Sequence, residues 1–201
     1  MALYLGPDNA LRCGWCGDAA ELFLPYHDQE WGFPVADDRR LFEKLCLESF
    51  QAGLSWRTIL TKRENFRAAF RNFEIDKMVR FTEQDVQRLL ADAGIIRHRG
   101  KIEAVINNAH CAQRLIQEAG SLAAFFWSYE PDPASLPAPQ SVTTSDVSVA
   151  VARALKRRGW KFLGPTTVYA FMQAMGMIND HAEGCIIRSR VSEARRQFSK
   201  P

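Results

Sequence analysis

Two clusters of metal-competent side chains stand near opposite ends of this chain, and a fold that uses them together must bring those ends into contact. Cys13-Gly14-Trp15-Cys16 is followed by His27, and His181-Ala182-Glu183-Gly184-Cys185 lies toward the other end of the 201 residues. Five soft or borderline ligands are on offer where a tetrahedral zinc site takes four. A His and a Cys four apart lie on one side of a helical turn, and a Cys2His2 set made wholly of protein ligands is of the structural kind, with no open position for water. Cys16 competes with Cys13 and His27, and spacing does not say which of them stays out. Five cysteines, an odd number that includes Cys46 and Cys111, favour metal binding over disulfides in a reducing compartment.

Between these ends the punctuation is helical. Asp37 and Asp38 open a stretch through Leu41, Phe42 and Leu45 that Gly53 closes, and Ser55 can cap a second helix running to about Phe70. Thr82 with Asp85 forms a capping box ahead of Val86 and Leu89, with Gly94 as its stop. Apolar positions at Ile102, Val105, Ile106 and Ala109 predict a helix over 101–118, Ser145 caps one reaching Arg158, and a last strong helix covers about 166–178. No alternating strand of useful length is present, and residues 130–144, rich in Pro and Ser, read as a surface loop between two groups of helices. The expectation is an all-α fold in one domain over 1–201, with two helical lobes around a cleft. No apolar run approaches a membrane span and no signal-peptide pattern opens the chain, which predicts a cytoplasmic protein.

With a net charge of only +3, any attraction to a polyanion must be local. Lys156-Arg157-Arg158-Gly159-Trp160-Lys161-Phe162-Leu163-Gly164-Pro165-Thr166-Thr167 reads as a hairpin between helices. In it Gly164 supplies unusual backbone geometry, Thr166 and Thr167 lie at a helix start suited to phosphate, and Lys161 adds charge. A solvated helix-loop-helix accounts for that segment equally well. Arg97-His98-Arg99-Gly100-Lys101 is a second basic stretch of similar look. One acid, Glu48, stands in the otherwise apolar and aromatic run Leu47 to Trp56, and a carboxylate there needs a purpose or a partner. Trp15, Tyr26, Trp31 and Trp56 supply enough aromatic surface to wall a slot for a flat ligand, although most tryptophans simply fill core.

Five motifs in order make the chain resemble the DNA-3-methyladenine glycosylase I family, a zinc-containing branch of the helix-hairpin-helix DNA glycosylases. They are Arg12-Cys13-Gly14-Trp15, Tyr26-His27-Asp28-Gln29-Glu30-Trp31-Gly32, Gln51-Ala52-Gly53-Leu54-Ser55-Trp56, Gly94 through Ile102, and Asn179-Asp180-His181, and the match spans about 12–185. The resemblance implies zinc ligands at Cys13, His27, His181 and Cys185, leaving Cys16 a bystander and 186–201 a basic tail. It implies that Glu48, Tyr26 and Trp56 contact an extruded base while Trp15 and Trp31 shape its pocket. Gly53 and Leu54 would fill the gap left in the duplex, and the segment around Lys161, Gly164, Thr166 and Thr167 would hold DNA. It also puts Asp180 at roughly the place of a catalytic aspartate in related glycosylases. Phe50 stands where relatives carry Gln, Phe23 where a Tyr is usual, and the step from Cys13 to His27 is one residue longer.

The activity so implied is hydrolysis of the glycosidic bond of 3-methyladenine in alkylated duplex DNA, by a monomer with no organic cofactor. No lysine is obviously placed for a Schiff base, which points to a monofunctional enzyme without strand cleavage. Two other readings fit parts of the sequence. A zinc-stapled DNA-binding module would treat Glu48 and the tryptophans as core, and a zinc hydrolase would need an open metal position.

Overall fold

A computed structural model describes residues 2–201. Its first element is a short ribbon, β1 (Leu3–Leu5) paired antiparallel with β2 (Leu11–Cys13), which the sequence periodicity was too short to reveal. A 3-10 turn over Gly14–Ala19 leads into α1 (Ala20–Gln29), the carrier of Tyr26 and His27.

The central element is α2 (Asp38–Gln51). Asp37 caps it by accepting the Arg40 N–H, and its residues from Leu41 to Phe50 are buried without a break, so it packs on all sides. The helix expected from Ser55 to Phe70 is two, α3 (Trp56–Thr61) and α4 (Arg63–Ala69), interrupted at Lys62, whose Nζ turns to the carbonyls of Ala93 and Gly94. Short α5 (Ile75–Met78) and α6 (Glu83–Ala91) follow, the latter with the Thr82–Asp85 capping box in place. Then come α7 (Arg99–Ala119), ended at Gly120, and α8 (Leu122–Trp127). After the irregular stretch, α9 (Asp146–Arg157) starts at its Ser145 cap, and α10 (Pro165–Ala174) stops four residues before the expected end. The segment read as a basic tail is not one. It forms α11 (Ile186–Gln197), which buries Ile187 and Val191 and packs against β2.

The helices fall into two groups that share α2. One gathers around α7, with α5, α6 and α8 against it; the other joins α9 and α10, and α10 also packs on α2. The first group is filled by a run of phenylalanines in which Phe50 meets Phe66 at 4.7 Å between centroids and Phe70 meets Phe73 at 5.7 Å. Each such pair contributes about 0.5–1.5 kcal/mol beyond the area it buries. Phe50 is thus a core residue, fully buried, and does not shape the pocket described below. Gly176 shows how closely the second group is fitted. Its φ is +79°, and a Cβ there would lie 2.4 Å from the Pro34 nitrogen, so only glycine allows α10 to turn back past 33–34.

Lys101 is not part of a basic surface. Its chain runs inward, and Nζ donates to the carbonyls of Phe50, at 2.8 Å, and Ala52, which closes the C-terminal end of α2.

Candidate active site and metal centre

The aromatic and acidic candidates of the N-terminal half converge on one cavity of about 580 Å³ bounded by α1, α2, α3, α10 and the 139–143 loop. Trp15, Tyr26, Trp31, Glu48 and Trp56 line it, facing Gln140, Thr143 and Gln173. Trp56 is placed by its neighbour, since Ser55 caps α3 through the Thr58 N–H and leaves Trp56 as the first helical residue. Its ring lies 5.3 Å from that of Tyr26, and Trp15 stands edge-on to Phe23, His27 and Trp31. Phe23 therefore fills its position as a packing ring of the cavity wall.

Glu48 reaches this cavity with an intimate partner that sequence reasoning missed. Lys44, one turn earlier on α2, sets Nζ 2.7 Å from Glu48 Oε1 and donates to the Tyr26 hydroxyl at 2.7 Å, while lying 3.5 Å from the centre of the Trp56 ring. The sequence offered no lysine obviously placed for a Schiff base; the four-residue spacing on one helix nevertheless puts both charges in the pocket, with the ammonium paired to the carboxylate. Burial lowers the pKa of Lys44, and the charge of Glu48 opposes that effect. Burial and then the charges of Glu48 and Glu30 raise Tyr26 well above its ordinary value, so its hydroxyl keeps its proton at neutral pH.

The far wall depends on Asp180. Its carboxylate accepts the Gln140 N–H at 2.8 Å and the Gln173 Nε2 at 2.6 Å, which ties the 139–143 loop to α10. Burial raises the Asp180 pKa against those two hydrogen bonds. Both oxygens are engaged behind the cavity lining. Gln140, held at φ +57°, turns its amide to Asp180 O and to Cys13 Sγ at 3.1 Å. No pattern in the 130–144 sequence marks it.

Cys13, His27, His181 and Cys185 come together as a buried cluster able to hold a metal ion, their ligand atoms all within 4.8 Å of one another. His27 Nε2 is 3.2 Å from His181 Nδ1 and 3.6 Å from Cys185 Sγ, and His181 Nδ1 is 3.6 Å from each sulfur. The outward nitrogens are also held, His27 Nδ1 by Asp28 Oδ1 at 2.7 Å and His181 Nε2 by the Trp31 carbonyl at 2.9 Å. Such contacts fix which ring nitrogen faces a metal. Cys16 turns away and donates its thiol to the Cys13 carbonyl. Arg12 binds Asp28 through Nε and Nη2, and so supports the same centre from behind.

The segments suggested for DNA are spread over two turns. Gly53, at φ +79°, and Leu54, 41% exposed, form the turn between α2 and α3 beside the cavity. Lys161 is exposed, its backbone pinned to α7 by the Asn108 side chain. Gly164 caps α10 at φ −79°, so it does not use the left-handed geometry expected of it; Gly159 and Phe162 do. Thr166 and Thr167 fall in the first turn of α10, where N–H groups have no partner within the helix. Ala170 and Gln173 of the same helix line the cavity. At about 1.5 Å per residue, Thr166 and Thr167 lie roughly 5–6 Å along the axis from Ala170, the nearer of the two.

The methyladenine glycosylase family model matches residues 15–189. DNA-3-methyladenine glycosylase 1 of Escherichia coli (strain K12) is 48% identical over 178 residues, covering 87% of this chain and 95% of that protein. The DNA-3-methyladenine glycosylase of Haemophilus influenzae is 43% identical over 178 residues, with 87% and 96% covered. Among solved structures, a crystal structure of 3-methyladenine DNA glycosylase I aligns with a TM-score of 0.79 at 46% identity, over 87% of this chain and 98% of that one. A tyrosine-to-phenylalanine variant of 3-methyladenine DNA glycosylase I, solved in complex with 3-methyladenine, aligns with a TM-score of 0.81 at 39% identity, over 86% and 95%. With its helical architecture shared and most of its length matched, the chain belongs to the methyladenine glycosylase family.

Proposed function

We propose that this protein is a monofunctional glycosylase of base excision repair that removes 3-methyladenine from alkylated duplex DNA, acting as a monomer. The observation that carries this reading is the cavity itself, which a buried carboxylate, Glu48, lines together with the rings of Tyr26 and Trp56.

An adenine methylated at N3 carries a positive charge and leaves as a neutral base, so strong acid catalysis is unnecessary. What the protein must supply is extrusion from the stack, at about a few kcal/mol, and a slot that favours the lesion. Trp56 gives a stacking face whose attraction for a cation is about 0.5–2 kcal/mol. Tyr26 keeps a neutral hydroxyl for hydrogen bonding. Glu48, poorly hydrated, attracts the charged base and then stabilises positive charge developing on the sugar. Leu54, 41% exposed, would fill the vacated stack, and the first turn of α10 with Lys161 would hold phosphates. No helix among the described residues is long and apolar enough to cross a membrane.

Zinc is the metal that the cluster fits. Tetrahedral bonds of about 2.3 Å to sulfur and about 2.0–2.1 Å to nitrogen give ligand–ligand edges near 3.6 Å for S–N and near 3.3 Å for N–N. The observed separations are 3.6 Å and 3.2 Å. Cys13, His27, His181 and Cys185 would hold the ion with no open position, so it would supply structure and no chemistry. That argues against a metal hydrolase.

Incubation with methylated duplex DNA followed by chromatography of released bases tests the function. Free 3-methyladenine without strand nicking is expected. Glu48→Gln is expected to cut the rate by about 10²-fold or more, the scale of losing one preorganised electrostatic group. Full activity in that variant would refute the role given to Glu48. No release from folded protein that binds DNA would leave the binding-module reading in its place.

A further inference from the structure

The pocket already contains a cation. Lys44 and Glu48 have side chains only 6% and 5% exposed, and the ammonium group is in contact with Glu48, Tyr26 and the Trp56 face together. Those are the three groups that the preceding section gives to the cationic base. Nζ lies 3.5 Å from the centre of the Trp56 ring, which is where a stacked purine would place its own atoms. A base and this ammonium therefore exclude each other at Trp56, and two positive charges repel at one carboxylate.

We propose that Lys44 is a specificity-setting residue: it holds the cation position of the empty pocket and must yield it when a cationic base enters. The proposal rests on the glycosylase reading of the same cavity. Among the described residues, Tyr26 and Glu48 are the only polar partners of the ammonium. The charged and titratable groups facing it are Glu48 on its own helix, Tyr26 on α1, Glu30 at the end of α1, and Arg63 on α4. Arg63 is itself engaged by Glu30 and Glu43, which leaves Glu48 as the carboxylate for which Lys44 and a cationic ligand compete. A neutral base meets a different site. It displaces the ammonium from Trp56 but leaves it free to stay on Glu48, so it escapes the repulsion that a cation meets. Lys44 thus makes the pocket a weaker binder of cations than its aromatic and acidic lining alone would be.

The test measures binding of two probes by quenching of tryptophan fluorescence. One is 3,9-dimethyladeninium, permanently cationic, with a methyl group in place of the sugar; the other is 9-methyladenine, neutral and of nearly the same shape. Wild type is compared with Lys44→Met, Lys44→Gln and Lys44→Arg. The two uncharged variants are expected to bind the cationic probe more tightly by about tenfold or more, between the scales of one like-charge contact in bulk water and near a protein surface. The neutral probe should change by much less, and Lys44→Arg should retain the wild-type preference. Lys44→Gln keeps a polar group beside Glu48 and covers the case in which Lys44→Met does not fold. Unchanged or weaker cation binding in both uncharged variants, while wild type still binds the probe and excises 3-methyladenine, overturns the role of Lys44 alone. If wild type binds neither probe and releases no base, the reading of the whole pocket fails with it.

Discussion

Removal of the metal should cost this protein its cross-link before it costs chemistry, and the size of the effect follows from where the ligands lie. Cys13 and His181 are 168 positions apart, so an ion joining them closes most of the chain into one loop. A cross-link over a loop of that length removes about 5 kcal/mol of conformational freedom from the unfolded chain. For a chain of this size each kcal/mol moves the midpoint of thermal unfolding by roughly 2–4 °C, so the loss is about 10–20 °C. The assay is thermal unfolding followed by far-ultraviolet circular dichroism, on protein as purified, after chelation, and after return of zinc, with metal content measured in each sample. Cys185→Ser should reproduce most of the drop without any chelator. Excision of 3-methyladenine at a temperature well below both midpoints should persist in the stripped protein. A midpoint that moves by less than about 3 °C, with metal content falling from one per chain to none, would refute the cross-link argument. Loss of activity at a temperature where the stripped protein is fully folded would refute a purely structural ion.

Two further predictions concern positions away from the metal. Lys101→Met leaves the carbonyls of Phe50 and Ala52 without their charged donor and should cost about 1.5–3 kcal/mol in urea unfolding, with impaired excision because the 52–55 turn loses its anchor; a change below about 0.5 kcal/mol would refute that anchoring. Asp85→Ala removes the acceptor of the Thr82 N–H and should cost about 0.5–2 kcal/mol at pH 7. That hydrogen bond is the chief cause that holds Asp85 below its ordinary 3.8, so its contribution is present above about pH 4 and lost as pH falls through the lower folded value. The stabilities of variant and wild type should therefore converge in acid; a gap that stays constant from pH 7 to about pH 2 would refute the assignment.

Much of the helical order was legible because several helices begin with a local signal. Asp37, Thr82 and Ser145 cap α2, α6 and α9 as their residue types predict. The break at Lys62 was not legible, since it depends on carbonyls that arrive from 93–94. In α11 the signal was present but faint. Ile187 and Val191 are four apart and both buried, yet the arginines around them disguised an amphipathic helix as a charged tail. Spacing left three candidates for two metal positions at the N-terminal end, and only tertiary structure shows Cys16 turned to a carbonyl. Lys44 and Glu48, by contrast, were readable as a pair one turn apart. They were overlooked because a search for a lone acid does not ask what its helix neighbour carries.

Gln140 has a consequence for anyone who wishes to remodel what this enzyme accepts. One part of the residue lines the pocket while its amide donates to the sulfur of Cys13 and its backbone hangs from Asp180. Recognition and scaffold are therefore one piece of masonry at this point. A library randomised at position 140 to widen the slot would also vary the electron density on a sulfur of the metal-competent cluster and the seating of a whole loop. Variants discarded for poor yield would include some whose recognition had changed as intended, so selection at this position belongs in a background already stabilised elsewhere.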